Sequence, residues 1–362
     1  MRKIIFIIPT LRGNGAERFV LDLYTTLEKI YKATCYIICF EKRVDYKIPD
    51  DINLYYANMP KKNLFTFFFY KQLCARNINT IINKYIGNPD LILSNLTSSD
   101  KITKYLNYKC LYHVIHSITS EEHIGKRTGI KRLAAKIRIK NIYKKHPIIC
   151  VSNAVKKDFI YFFYNGQKIL HIYNGLDTIK IQAMSEDKTE YALIKSLGKY
   201  ILCVGNFKAA KNHISLIKGF AMAQTDANLV FLGAGGECER EIINLVKILN
   251  LENRIIFVGF HKNPYPFIRN AFLLVAPSIY EGFGIAMMEA VLLGTPIIAS
   301  DCETFRELIP LSHKKCLFKI GSPKSICKAI ENASKNRKNY SIKFDNKFGI
   351  ENVAAEYIKL MK

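Results

Sequence analysis

The feature that most constrains this chain is an alternation that runs through it twice. "KIIFIIPT" is a short apolar run rich in β-branched residues, "LRGNG" is a glycine loop, and "AERFVLDLYTTLEKI" spaces its apolar residues as a helix does. The second half repeats the order with "YILCVGNF", "KAAKN" and "HISLIKGFAMAQ". It continues through strands at "NLVFLGAG", "RIIFVGF", "FLLVAPS" and "PIIASD", with helical stretches between them. In the first half, further strands are predicted at "ATCYIICF", "LILSN", "CLYHVIH" and "PIICVSN". Runs that are apolar throughout, instead of alternating, are buried on both faces, which implies parallel sheets with helices on each side. With 362 residues, 49% of them hydrophobic, there is material for two such domains. The expected fold class is therefore α/β, with two doubly wound domains. The boundary is placed near 178, because "TIKIQAMSEDKTEYALIKSLGK" loses apolar density and gains charge. Residues 1–177 form the first domain and 178–345 the second. Residues 346–362 hold a short amphipathic helix whose place the sequence leaves open, packing back on the first domain being one placement. Ligands of doubly wound sheets bind outside the carboxyl ends of the strands, so the expected site is a cleft where two such edges face.

Charge narrows the partners. A net charge of +24, from 54 basic against 30 acidic residues, attracts nucleic acid, anionic lipid or phosphorylated small molecules. Residues 126–145 hold nine Lys or Arg and no acid. Within them Ile130, Leu133, Ala134 and Ile137 share one helix face, while Ile139, Ile142 and Tyr143 drift off it. Two readings stand open: a patch for an anionic membrane surface, or a charged helix packed on its domain. "NLFTFFFYKQL", residues 63–73, reads either as core or as a guide for a lipid-linked acceptor. No apolar run reaches the roughly 18 residues of a membrane span, and the amino-terminal apolar run is too short for a signal peptide. The expected location is cytoplasmic, with a peripheral position on the inner face of the cytoplasmic membrane as the alternative. Ten cysteines lie mostly in apolar stretches with no CxxC pair, which reads as reduced core residues and no metal site.

The loops carry the chemistry. Gly13 and Gly15 let backbone approach an anion at a helix start, but the spacing stops short of GxGxxG and also suits an ordinary tight turn. Lys208 and Lys211 follow a predicted strand, where lysine neutralises phosphate or is simply solvated. In "YEGFGIAMMEAVLLGTPIIASD", Glu281 and Glu289 flank a helix start. Were both helical they would stand about 12 Å apart, against roughly 5 Å for the carboxylate pair of a retaining glycosidase, so a two-carboxylate hydrolase is disfavoured. The amides of Gly282, Phe283 and Gly284 suit a phosphate and the carboxylates suit sugar hydroxyls; the plainer alternative is that Glu289 balances the helix dipole. His116 ends the "LYHVIH" run beside Ser117.

These residues resemble glycosyltransferase family 4, the retaining nucleotide-sugar transferases with the GT-B fold, over nearly the whole chain and in the family's order. "GNGAERFVLDL" is similar to the amino-terminal GGAE loop and "HVIHS" to the stretch with the cleft histidine. "VSNAVKKD" and "YNGLD" resemble the approach to the domain crossing. "VGNFKAAKNHISLIKGF" looks like the phosphate-binding segment, "FVGFHKNPYPFIRNA" like the base-binding loop, and "EGFGIAMME" has the ExxxxxxxE spacing.

The resemblance implies two Rossmann-like domains facing each other across a cleft. It implies a catalytic set of His116, Lys211 and Glu281, with His116 beside the donor sugar. Gly15 and Lys211 would bind the diphosphate, Glu281 through Gly284 the sugar, Glu289 the ribose, and Phe260 would lie in the base loop. The family's arginine five residues before the lysine is here Asn206, with Lys208 as a candidate replacement. The implied reaction moves a hexose or N-acetylhexosamine, with retention, from a nucleotide sugar, UDP-linked by the family's habit. The acceptor would be a lipid-linked saccharide such as lipopolysaccharide, and no cofactor or metal is expected. A nucleotide-sugar 2-epimerase of the same fold and a basic nucleic-acid-binding protein are the rival readings; for the latter only the charge speaks, so no nucleic-acid partner is expected.

Overall fold

The computed structural model describes residues 2–13, 15–44, 48, 51–60 and 69–361. The chain forms two compact units: Met1–Leu176 together with Lys347–Lys362, and Asp177–Asn346. Each is a parallel sheet with helices between its strands. The first holds β1 (Lys3–Ile8), β2 (Thr34–Cys39), β3 (Leu54–Tyr56), β4 (Leu91–Asn95), β5 (Leu111–Ile115), β6 (Ile148–Cys150) and β7 (Ile169–His171), in the order 3-2-1-4-5-6-7. The second holds β8 (Tyr200–Val204), β9 (Asn228–Leu232), β10 (Ile255–Gly259), β11 (Leu273–Ala276), β12 (Ile297–Ser300) and β13 (Leu317–Phe318), in the order 10-9-8-11-12-13. Ile4 to Ile8 are fully buried, as a central parallel strand requires.

Strand order fixes where a ligand can sit. In the first unit the winding reverses between β1 and β4, and in the second between β8 and β11. At each reversal the two following loops diverge to opposite faces and leave a crevice at the carboxyl edge.

Three strands escape the sequence pattern: β3 and β7 have three residues each and β13 two, too few for any periodicity to register. The charged stretch after 177 is also more ordered than its composition implies. It forms the helices Thr178–Ser185 and Tyr191–Ser196, the first capped by Asp177, whose carboxylate accepts the Lys180 N–H at 3.0 Å. Its charges are spent on contacts within the second unit. Arg269 reaches Glu186 at 2.7 Å, and His261 Nδ1 lies 3.2 Å from Glu190.

The carboxyl-terminal segment belongs to the first unit. The Leu176 N–H donates to the Phe348 carbonyl and the Ile350 N–H to the Leu176 carbonyl, both at 2.9 Å. The helix Ile350–Ile358 lies against the helix Gly15–Tyr31, with the buried Tyr357 ring 6.3 Å from Phe19. Gly175 permits this approach, since a Cβ there would stand 2.8 Å from the Ile350 Cα. Of the aromatic run at 63–73, residues 63–68 lie outside the described residues; Phe69 is 63% exposed and Tyr70 opens the helix Tyr70–Ile81.

Candidate functional site

The crevice of the second unit is built by the loops after β8 and β11. After β8 the backbone passes Gly205 and Asn206 and closes a short 3-10 turn, Ala209–Lys211. The chain enters the next helix through Asn212 in the left-handed region, φ 53°. The two loops are fastened to each other: the Ile279 N–H donates to the Ala210 carbonyl at 2.7 Å, and Asn212 Nδ2 to the Pro277 carbonyl at 3.3 Å. Lys211 thereby points at Glu281, with Nζ 2.6 Å from Oε1. Ser278 Oγ donates to the same Oε1 at 2.6 Å, and Thr304 Oγ1 holds the Glu281 carbonyl at 2.7 Å.

Burial alone pushes the Lys211 ammonium down. The Glu281 carboxylate, by charge and hydrogen bond, outweighs it, and the lysine pKa ends above its ordinary value. Lys211 is therefore a fixed cation throughout the physiological range. A small recess beside the pair is lined by Cys203, Ser278, Gly284, Met287 and Phe305.

Gly284 caps the helix Ile285–Leu292 at φ 77°, ψ 51°. A Cβ there would meet the Phe305 ring at 2.4 Å, so both the turn and the packing demand glycine. Gly282 and Phe283 are buried, the Phe283 side chain at 2% exposure. Glu289 lies in the same helix at 2% exposure.

The other phosphate-loop residues divide. Asn206 is half-buried, while Lys208 is exposed beside Glu237, whose carboxylate accepts the Ala209 N–H at 2.9 Å. Among the described residues Lys211 is the lysine paired to Glu281; Lys208 has no such contact. Phe260, just past β10, is 46% exposed on a loop held by His261, whose Nε2 lies 3.1 Å from the Val258 carbonyl. Beneath the Lys211 turn sits His213, at 2% exposure, its ring edge-on to Phe207 and Phe231 and both nitrogens without a hydrogen-bond partner. Burial, then the nearby Lys211 charge, pushes its pKa down to about 4.

In the first unit the named residues lie on two loops, Gly15 after β1 at the reversal and His116 after β5, one strand beyond it. Gly15 opens the helix Gly15–Tyr31 after β1. His116, just beyond β5, sets Nε2 3.0 Å from Asn95 Oδ1 at the end of β4, and its ring 6.0 Å from Phe19. Burial pushes the His116 pKa down to about 4, so the imidazole is neutral at pH 7. Sequence reading missed Asn95, Ser278 and Thr304, which orient the named residues. The one signal for Asn95 was the polar "SN" that ends an otherwise apolar strand.

The family described as glycosyl transferases group 1 matches residues 185–349. The O-antigen chain mannosyltransferase of Salmonella typhimurium is 30% identical over 311 residues, covering 82% of this chain and 81% of that protein. The chain belongs to the group 1 glycosyl transferases. This transferase is also similar to the N-acetylgalactosamine-N,N'-diacetylbacillosaminyl-diphospho-undecaprenol 4-alpha-N-acetylgalactosaminyltransferase of Campylobacter jejuni, 26% identical over 83% of this chain and 81% of that protein. Among solved structures, the Anabaena protein HepE in complex with UDP and glucose aligns with TM-score 0.75 at 17% identity, covering 100% and 97% of the two chains. Sucrose-phosphate synthase of Thermosynechococcus elongatus aligns at 0.81, also 17% identical, covering 99% and 98%. The fold of the transferase is thus of the GT-B class, each unit Rossmann-like.

Proposed function

We propose that the protein transfers a hexose or N-acetylhexosamine from a UDP-sugar, with retention, to a lipid-linked saccharide of a bacterial surface glycan. The observation that carries the reading is the Lys211–Glu281 pair at the β8/β11 reversal, a fixed cation beside a fixed carboxylate. Along this carboxyl edge Phe260 follows β10, Lys211 follows β8 and Glu281 follows β11. β9 separates the strand that leads to Phe260 from the one that leads to Lys211, while the Lys211 and Glu281 strands are neighbours. That order fits a base, a diphosphate and a sugar laid in sequence.

In the proposed reaction the bond from the anomeric carbon to the β-phosphate oxygen breaks, and negative charge collects on the departing UDP. The Lys211 ammonium and the helix end at Gly284 are set to stabilise that charge before it develops. Glu281 holds sugar hydroxyls, and Glu289 the ribose. The acceptor hydroxyl attacks from the face the phosphate leaves, and a phosphate oxygen takes its proton. Retention is supported by the family resemblance. No step in this scheme calls for a metal ion. Acceptor recognition is assigned to the first unit.

The test is product analysis. The protein is incubated with a panel of UDP- and GDP-sugars and polyprenyl-diphosphate saccharides, and scored for a glycoside of unchanged anomeric configuration. An epimerised nucleotide sugar formed without acceptor would overturn the reading.

A further inference from the structure

The sheet does not by itself place the loop that carries Phe260. Pairing between β9 and β10 shifts register between Phe257 and Gly259, and Gly259, the last paired residue, takes φ 77° as the chain leaves the strand. Phe260 then stands 46% exposed, while the next side chain, His261, turns inward at 17%. The His261 ring packs on the fully buried Phe267 with centroids 4.7 Å apart. Its two nitrogens reach oxygens on either side: Nε2 lies 3.1 Å from the Val258 carbonyl and Nδ1 3.2 Å from Glu190 Oε1. One side chain thus ties the end of β10 to a residue 71 positions earlier.

Glu190 belongs to the stretch 184–190, which ends the helix Thr178–Ser185 and leads into Tyr191–Ser196. The same stretch meets the Phe260 loop at further points. Asn263 Nδ2 donates to the Met184 carbonyl at 2.8 Å and to Asp187 Oδ2 at 3.3 Å, while its Oδ1 accepts the Tyr265 N–H at 3.2 Å. Arg269, in the helix Tyr265–Asn270, reaches Ser185 Oγ at 3.1 Å and Glu186 at 2.7 Å. Half-exposed ion pairs of this kind contribute little to stability. Their effect is to remove freedom from the loop between them. A ring already held in place loses less freedom when a ligand stacks on it, so the gain appears in affinity.

We propose that His261 and Glu190 are positioning residues for the donor nucleotide, a clasp that holds the loop so that the Phe260 ring stands ready for the base. The inference rests on the reading of Phe260 as the base platform, and adds which side chains keep it in place. Because the clasp acts through Phe260, its effect on nucleotide affinity disappears once that ring is gone.

The test is calorimetric titration of the full chain with UDP. His261→Ala and Glu190→Ala should each weaken binding about five-fold. Glu190→Gln, which keeps an oxygen facing Nδ1, should stay within about two-fold of native. In a Phe260→Ala background neither alanine should add a further loss, since residues that act as one unit are not additive. Thermal unfolding of Glu190→Ala should move by no more than about 2 °C, so that variant carries the test if His261→Ala folds poorly. Native affinity in Glu190→Ala, or a loss that adds in full to that of Phe260→Ala, would overturn the clasp. The underlying reading fails separately: if Phe260→Ala itself binds UDP as the native protein does, the base platform is wrong and the clasp falls with it. Should Phe260→Ala weaken binding while the clasp variants do not, only the clasp falls.

Discussion

Replacing Lys211 with alanine separates structure from chemistry. The substitution removes a cation 2.6 Å from Glu281 Oε1 and a methylene stem that runs along Gly205, where an added Cβ would stand 3.4 Å from Cε. Glu281, 15% exposed, keeps the Ser278 hydroxyl at 2.6 Å and loses its counter-charge. Leaving one partner of such a pair short of its donor costs about 1–3 kcal/mol. At about 2–4 °C per kcal/mol for a unit of this size, thermal unfolding should fall by roughly 2–12 °C with the fold intact. Adding Glu281→Gln should return much of that loss by neutralising the orphaned carboxylate. The rate behaves differently. Loss of one preorganised group facing the departing diphosphate costs about 3 kcal/mol, or about 100-fold in kcat, and the second substitution cannot restore it. Initial rates of UDP release at saturating donor, measured beside thermal unfolding, resolve the two effects. A kcat within about three-fold of the native value in Lys211→Ala would refute the phosphate role.

Other expectations follow from the same geometry. Gly284→Ala meets both a left-handed backbone and the Phe305 ring 2.4 Å away; a loss of about 2 kcal/mol or more in chemical denaturation is expected, since the backbone strain alone is about 1–2 kcal/mol. Phe260→Ala should weaken UDP binding about ten-fold by calorimetry without lowering thermal stability, because the ring is 46% exposed and base stacking contributes about 1–3 kcal/mol. His213 has a folded pKa near 4 against an ordinary 6.5, so the unfolded chain binds its proton first and stability falls as pH drops from about 6.5 to 4. Each pH unit is worth about 1.4 kcal/mol, so His213→Leu should gain about 3 kcal/mol relative to native across that window, read by urea denaturation at each pH.

The central strands were legible because parallel strands buried on both faces must be continuously aliphatic, as "KIIFII" and "YILCV" are. Edge strands such as β13 were not, since two residues carry no period. The helices after 177 were not legible because the partners of their charges, Arg269 for Glu186 and His261 for Glu190, lie far off in sequence. At the site, the loops could be named from glycine and lysine placement, but their meeting could not. Lys211 and Glu281 are separated by 70 residues, and only the reversal that puts β11 beside β8 brings them together. Asn95 was hidden for the same reason: its partner His116 follows the neighbouring strand. In the helix Gly129–Tyr143 the sequence showed two conflicting apolar faces; which one is buried depends on contacts such as Tyr143 to Asp100.

The most direct measurement is a crystal structure of the protein soaked with UDP. The β-phosphate is expected within hydrogen-bonding distance of Lys211 Nζ and at the Gly284 helix end, with uracil against the Phe260 loop. Nucleotide bound away from Lys211 and Gly284 would contradict the assignment of the β8/β11 crevice as the donor site.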